Sequence, residues 1–471
     1  MSTVTRRGFL AATAAMPGYF AAPRSRPNVL FLAIDDLNDW VGCLGGHPDT
    51  RTPALDRFAK TGVNFTNAHC AAPLCNPSRA ALMTGVRPST SGVYENNQPM
   101  RRSPALAHAV TLPQHFRAAG YWAASAGKIY HGAFPDPQSW DESYPGQGPY
   151  RSADPKPAKT PANGMPGGAN FDWGPLDVDD AAMADYKMAE WTRSQLGRRH
   201  GKPFFLACGI YKPHLPWHVP RKYFEMFPED RIKLPEVNEN DLDDVPEAGR
   251  RMAKPEGDHA NVVKYGQWRR AVQGYLASIA FADAMVGRVL EALEDGPHAT
   301  NTAVVLWSDH GWHLGEKLHW RKFALWEEAT HNVLMMRVPG LTKADGRCAR
   351  SVNLLDIYPT LAEVAGLPGR PGLEGRSLAP LLRDPRAKWP DATLTTYGKG
   401  NHSVRDERWR YIRYADGSEE LYDREKDPLE WTNLAGRGEH AAVKSRLAKW
   451  LPAVNAEPTP TEQTAPGNWD D

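Results

Sequence analysis

Two unbroken apolar runs of strand length restrict this chain more than anything else in it: Val29-Leu30-Phe31-Leu32-Ala33-Ile34 and Ala303-Val304-Val305-Leu306-Trp307. A strand that is apolar on both faces must be covered on both, as in a parallel sheet between layers of helices. Both runs stop at carboxylates. Asp35-Asp36 ends the first, and Ser308-Asp309-His310-Gly311 follows the second. In open α/β sheets the C-terminal ends of strands are where ligand groups gather. Shorter strand-like stretches (63–65, 121–126, 203–208) alternate with helical patterns at 52–60, 112–119, 179–198, 267–294 and 353–365. This alternation predicts an α/β fold with a large doubly wound, mostly parallel sheet flanked by helices. Beyond a Pro/Gly-rich link (366–375 and 381–391), segments 393–397, 403–405, 408–414 and 419–422 alternate apolar with polar residues. They predict a smaller α+β subdomain with an antiparallel sheet, closed by a helix over 440–450.

Between the acid-bearing strands lies Leu74-Cys75-Asn76-Pro77-Ser78-Arg79-Ala80-Ala81-Leu82-Met83-Thr84-Gly85. Pro77 suits the first turn of a helix, where its missing N–H costs nothing. Residue 75 would then stand at a helix N-terminus, where backbone dipoles favour an anion, with Arg79 one turn further on the same face. Cys-x-Pro-Ser-Arg followed by Leu-x-Thr-Gly resembles the signature of the type I sulfatases. In that family the cysteine is oxidised to Cα-formylglycine, whose hydrate is the nucleophile. The resemblance implies an alkaline-phosphatase-like fold, a sulfuric ester hydrolase, and maturation by a formylglycine-generating or an anaerobic sulfatase-maturing enzyme.

Asp35, Asp36 and Asp309, with His310 and an oxygen of modified Cys75, make a donor set for one hard cation. Oxygen-rich coordination favours Ca²⁺, with Mg²⁺ the near alternative. Ser308-Asp309-His310-Gly311-Trp312, Gly127-Lys128-x-x-His131 and Lys212-Pro213-His214 resemble the iduronate-2-sulfatase branch, over nearly the whole chain after residue 27. The resemblance carries roles position by position. Cys75 is the nucleophile, and Arg79 and Lys128 hold it and the sulfate oxygens. His131 deprotonates the hydrate to expel sulfate, while His214 and Lys322 contact sulfate and assist the departing sugar oxygen. Lys317-Leu318 stands where a His-Gly pair is common, a departure that bears on Lys322. His313, His319 and His331, and tryptophans 140, 173, 217, 312, 320 and 326, read as packing before function. Residues 275–289, including Asp283, read as a core helix.

Composition settles little beyond this. Lys and Arg total 56 against 55 acidic residues, so no global field points to nucleic acid. The five cysteines show no metal spacing and are too few for a disulfide scaffold. Thr5-Arg6-Arg7-Gly8-Phe9-Leu10, followed by small apolar residues, looks like a twin-arginine export signal over 1–24. The apolar run is too short for a stable membrane anchor. The expected layout is therefore a signal (1–24), a catalytic domain (25–375), a C-terminal subdomain (376–455) and a tail (456–471). The product, exported by the twin-arginine translocase, would be periplasmic or secreted and would act on a sulfated carbohydrate. Two rivals remain: hydrolysis of phosphate mono- or diesters or phosphonates by the same superfamily, and a non-enzymatic glycan-binding protein carrying unmodified Cys75.

Overall fold

The computed structural model describes residues 26–149, 152–166, 170–389 and 392–462. The export-signal reading over 1–24 lies outside them. An eight-stranded sheet runs through the centre. Its middle strand, Asn28–Ile34, pairs in parallel with Phe204–Ile210 on one side and Thr302–Ser308 on the other. Trp122–Gly127 and then Glu142–Tyr144 extend the sheet in parallel beyond Phe204–Ile210. Leu334–Arg337 runs antiparallel against Thr302–Ser308 and leads to Val63–Phe65 and Gly346–Cys348 at the far edge. The sheet is thus mostly parallel, and every residue of its three inner strands is buried.

Each face of this sheet is closed by its own apolar layer. One gathers around the helix Trp268–Glu294, whose buried stripe includes Tyr275, Ile279, Met285 and Leu293. The other gathers around Cys75–Thr84 and Ile357–Val364. The long amphipathic pattern at 179–198 divides into a 3₁₀ turn, Asp180–Ala182, and the helix Ala184–Leu196. Residues 134–177, rich in Pro, Gly, Asp and Ser and without periodicity, nonetheless contribute two strands. Glu142–Tyr144 joins the central sheet, and Trp173–Leu176 pairs with Trp217–Pro220. A four-stranded antiparallel sheet (Thr393–Thr396, His402–Arg405, Trp409–Arg413, Glu419–Asp423) follows, with the helix Ala441–Ala448 against it. Among the described residues no helix is long and apolar enough to cross a membrane.

Candidate active site

The two acid-bearing strand ends lie side by side, because Asn28–Ile34 and Thr302–Ser308 pair in register along their whole length. Asp36 takes φ 58°, a left-handed conformation rare for a residue with a side chain. Two contacts hold it there. Its N–H donates to Asp309 Oδ1 at 3.1 Å, and Tyr275 Oη, from the long helix, donates to its carbonyl at 2.7 Å. Tyr275, which the sequence reading left in the core, therefore fixes the turn that presents the acids.

Cys75 opens the helix Cys75–Thr84, fully buried, at the position where unpaired backbone N–H groups concentrate. Gly85 ends the helix in the left-handed conformation. Arg79, one turn on, is enclosed by acceptors. Its Nε donates to Asp309 Oδ2 and its Nη2 to Asp35 Oδ1, each at 2.8 Å, while Nη1 donates to the carbonyls of Lys128 and Ile129. Ser78 Oγ donates to Asp309 O at 2.6 Å. The helix Cys75–Thr84 is thereby bonded to the ends of both acid-bearing strands.

Lys128 Nζ lies 2.7 Å from Asp35 Oδ2. Lys322 Nζ lies 3.0 Å from both Asp36 Oδ1 and Cys75 Sγ. His310 Nε2 stands 3.2 Å from Cys75 Sγ and 3.3 Å from Asp36 Oδ1, and His214 Nε2 stands 3.8 Å from Asp36 Oδ2. Both imidazoles set Nδ1 against a backbone carbonyl, Gly311 O for His310 and Leu215 O for His214. A carbonyl accepts only, so Nδ1 carries the hydrogen and a neutral ring turns its Nε2 lone pair inward. His131 is buried in the turn after Lys128, its ring 5.8 Å from that of Phe134.

The electrostatics follow from burial and from these pairs. Burial pushes the Asp35 carboxyl up, yet Lys128, Arg79 and His214 outweigh it and hold the group well below the usual carboxylate range. Burial lowers the His310 imidazolium, which favours the neutral ligand form. Burial, with Asp35 and Asp309, pushes the Cys75 thiol well above its ordinary value despite Lys128 and Lys322. An unmodified Cys75 is therefore a protonated thiol and a poor nucleophile.

The donor chemistry fits a divalent cation. Asp35, Asp36, Cys75 and His214 form one group of close ligand atoms, and Cys75, Asp309 and His310 form another. Asp36 is fully buried, and its Oδ2 accepts no hydrogen bond from the described residues. Three carboxylates here face three cations (Arg79, Lys128, Lys322), so a divalent cation added to them would leave net positive charge to meet an anionic ester.

Sequence reasoning passed over several neighbours of these groups. Asn76 donates from its backbone to Asn96 Oδ1 at 3.0 Å and from Nδ2 to the carbonyls of Glu95 and Gln98. Its place between Cys75 and Pro77 is the sequence signal for this role. Asp185 accepts from the backbone of Tyr211 and Lys212 and so fixes the start of the Lys212-Pro213-His214 turn. Lys317 does not enter the site. Its Nζ donates to Asp241 Oδ1 at 2.6 Å and to Glu430 O, against the ring of Tyr422. The departure at 317–318 thus serves packing and leaves Lys322 beside Cys75. Trp173, Trp217, Trp312 and Trp326 are almost wholly buried, and the first three pack on one another. A cavity of about 390 Å³ is lined among others by Glu95, Lys254, Trp320, Arg321, Phe323 and Tyr397, so it takes in the sequence neighbours of Lys322.

Comparison with known proteins accords with this architecture. A sulfatase family model matches residues 27–367, and one described as N-sulphoglucosamine sulphohydrolase, C-terminal, matches 315–457. A sulfatase of Formosa agariphila is 38% identical over 92% of this chain and 87% of its own. Human iduronate 2-sulfatase is 32% identical over 72% of this chain and 69% of its own. Among solved structures, a protein in complex with its substrate, D-glucosamine-2-N,6-O-disulfate, superposes with a TM-score of 0.73 at 22% identity, covering 90% of this chain and 96% of that one. The phosphonate monoester hydrolase of Agrobacterium radiobacter gives the same TM-score at 23% identity, over 90% of this chain and 94% of its own. At such identities the structural likeness speaks for the fold alone. The sequence matches go further: this chain belongs to the sulfatase family of sulfuric ester hydrolases.

Proposed function

We propose that the protein hydrolyses a sulfate ester of a sugar, from a sulfated polysaccharide or glycosaminoglycan fragment, with Cys75 converted to Cα-formylglycine by a maturation enzyme. The observation that carries this reading is the surrounding of residue 75. It sits at a helix N-terminus, with Lys322 Nζ and His310 Nε2 within 3.2 Å of its sulfur, and its thiol is held protonated by burial. That setting suits a hydrated aldehyde better than a thiolate. In the proposed sequence one hydroxyl of the hydrate attacks sulfur and the sugar oxygen leaves as the S–O bond breaks. Lys322, and His214 when its ring is the imidazolium with a hydrogen on Nε2 as well, stabilise or protonate that oxygen. His131 then takes the proton of the remaining hydroxyl, the C–O bond to sulfate breaks, and the aldehyde returns. Arg79 and Lys128 hold the nucleophile and the sulfate oxygens throughout.

Asp35, Asp36, Asp309 and His310, with residue 75, would hold Ca²⁺ or Mg²⁺. A divalent cation there supplies Lewis acidity and screens the approach of two anions. The cavity lined by Arg321 and Phe323 would take the sugar, with the partly exposed rings of Phe323 and Tyr397 against it. Export through the twin-arginine translocase to the periplasm or beyond suits a substrate of this size.

The superposition on a phosphonate monoester hydrolase keeps phosphate and phosphonate esters as a second reading. Two measurements test the proposal. Mass spectrometry of the tryptic peptide 61–79, from protein co-expressed with a maturation enzyme, is expected to show the cysteine replaced by the aldehyde or its hydrate. Turnover of aryl sulfate is expected to exceed that of aryl phosphate; the reverse order would select the second reading, and an intact thiol in fully active protein would remove the mechanism.

A further inference from the structure

Lys322 reaches Cys75 from a backbone under heavy constraint. Lys317, Leu318, Arg321 and Phe323 all have positive φ, at 57°, 50°, 72° and 71°. Four non-glycine residues in the left-handed region within seven positions persist only where their surroundings over-determine them. The partners can be named. Lys317 is tied to Asp241 and Glu430. Arg321 Nε donates to Asp258 Oδ2 at 2.7 Å, with its guanidinium over the ring of Phe171. Phe323 N–H donates to Pro73 O at 3.2 Å, just ahead of the nucleophile helix.

Within this frame the carbonyl of Lys322 itself is met by a side chain. His319 Nε2 lies 2.6 Å from Lys322 O, and its Nδ1 lies 2.8 Å from Ala253 O, the last residue of the helix Glu247–Ala253. His319 is buried, its ring edge-on to His313 at 4.9 Å. His310 and His214 each set one nitrogen on a carbonyl and turn the other toward the carboxylates, whereas His319 spends both on backbone oxygens. Both oxygens only accept, so a neutral ring donates to one of them, and both bonds form together only in the imidazolium, which burial disfavours. The shorter contact, to Lys322 O, is the one that a hydrogen on Nε2 holds.

We infer that His319 is a positioning residue for the reaction, a clamp between Ala253 O and Lys322 O that sets where the Lys322 ammonium stands relative to residue 75. The inference rests on the reading of Lys322 as a group that acts on the departing oxygen. Lys has a long, flexible stem, so a shift of its backbone moves Nζ out of line without removing it, and misplacement by about 1 Å can cost on the order of a hundredfold in rate. A clamp of this kind lowers kcat and leaves binding largely alone.

The test is a double-mutant cycle on the matured, metal-loaded enzyme with an aryl sulfate substrate. His319→Leu keeps bulk and removes both ring nitrogens, and His319→Gln returns a donor. His319→Leu is expected to lower kcat about 10- to 100-fold with KM changed less than about threefold, and His319→Gln to recover most of the loss. In a Lys322→Ala background, His319→Leu is expected to cost less than about twofold further, because the group it positions is gone. An equal loss in both backgrounds would make His319 merely structural and overturn the inference while sparing the role of Lys322. Full activity of Lys322→Ala alone would overturn both. If His319→Leu does not fold, His319→Gln against His319→Asn supplies the same comparison, and equal kcat values for wild type and both amides would refute the clamp.

Discussion

Arg79 shows how much one side chain carries here. It is a fully buried cation with four acceptors: two carboxylates on different strands and two successive carbonyls on the Lys128 turn. Only a planar fork with donors on three nitrogens can meet all of them together. Lysine in its place keeps the charge but offers one nitrogen, leaving at least one buried carboxylate without its partner. Arg79→Lys is therefore expected to destabilise by about 3–5 kcal/mol, the range for breaking a buried ion pair. Its turnover per folded molecule is expected to fall at least a hundredfold. Urea unfolding and aryl sulfate turnover measure the two effects separately, and a lysine variant that kept a third of the wild-type rate would contradict the account. At this scale the motif residues were legible because chemistry restricts their type. Cys75, Arg79 and the strand-end acids stand together as their spacing suggested. Lys317 was not legible, because its partners Asp241 and Glu430 are far away in sequence and nothing local marks them.

Among the elements, the helix Pro53–Ala59 is capped by another helix. It has no side-chain cap of its own, and Thr52 at its N-cap makes no such bond. Instead Asp283, from the middle of Trp268–Glu294, accepts from Ala54 N at 3.1 Å and Leu55 N at 2.8 Å. These are the orphan donors of a first turn, satisfied by a carboxylate on a neighbouring helix. Burial raises the Asp283 carboxyl to about 6, against the opposing pull of those two N–H groups. The folded state then binds this proton more tightly than the unfolded chain does. The stabilisation is complete below about pH 4 and is lost as pH rises through about 6, a span of roughly 3 kcal/mol for a shift of this size. Asp283→Asn removes the titration and keeps an acceptor. Melting temperatures from pH 4.5 to pH 7 should therefore fall less steeply for Asp283→Asn than for wild type, and parallel slopes would dismiss the role of this carboxyl. The apolar runs at the sheet centre could be read directly from periodicity, as could the existence of the long helix. The capping could not, since it joins positions more than two hundred residues apart, and the same holds for Tyr275 on the Asp36 turn.

At the scale of the whole molecule, the C-terminal part is joined to the sheet-bearing part by buried charge and then by a strap. Arg410, fully buried on the antiparallel sheet, pairs with Glu327 and Glu430, and Arg405 and Arg424 add to the same acid. The chain then returns across the loop that follows the helix Cys75–Thr84. Ala456 N donates to Ser89 O, Thr459 N to Gly92 O and Glu462 N to Asn97 O, all within 2.8 Å. Gln98 Nε2 donates to Thr459 O at 2.7 Å, and its Oε1 accepts from the backbone of Tyr94 and Glu95. That same loop receives the bonds of Asn76 beside Cys75. What reads from composition as a tail thus lies two links from Cys75. Gly92 is where the link is tightest. It sits at φ 74°, and a Cβ there would stand 2.2 Å from Glu457 O, a backbone atom that cannot give way alone. Gly92→Ala is expected to lift the strap, raise protease cleavage between residues 456 and 462, and lower kcat about tenfold with little change in KM, because it loosens the seat of residue 75 rather than the sugar's contacts. Deletion of 456–471 should reproduce that kcat without the strain of an added methyl. A deletion variant with wild-type turnover would show that the strap stabilises the fold and has no part in holding the nucleophile.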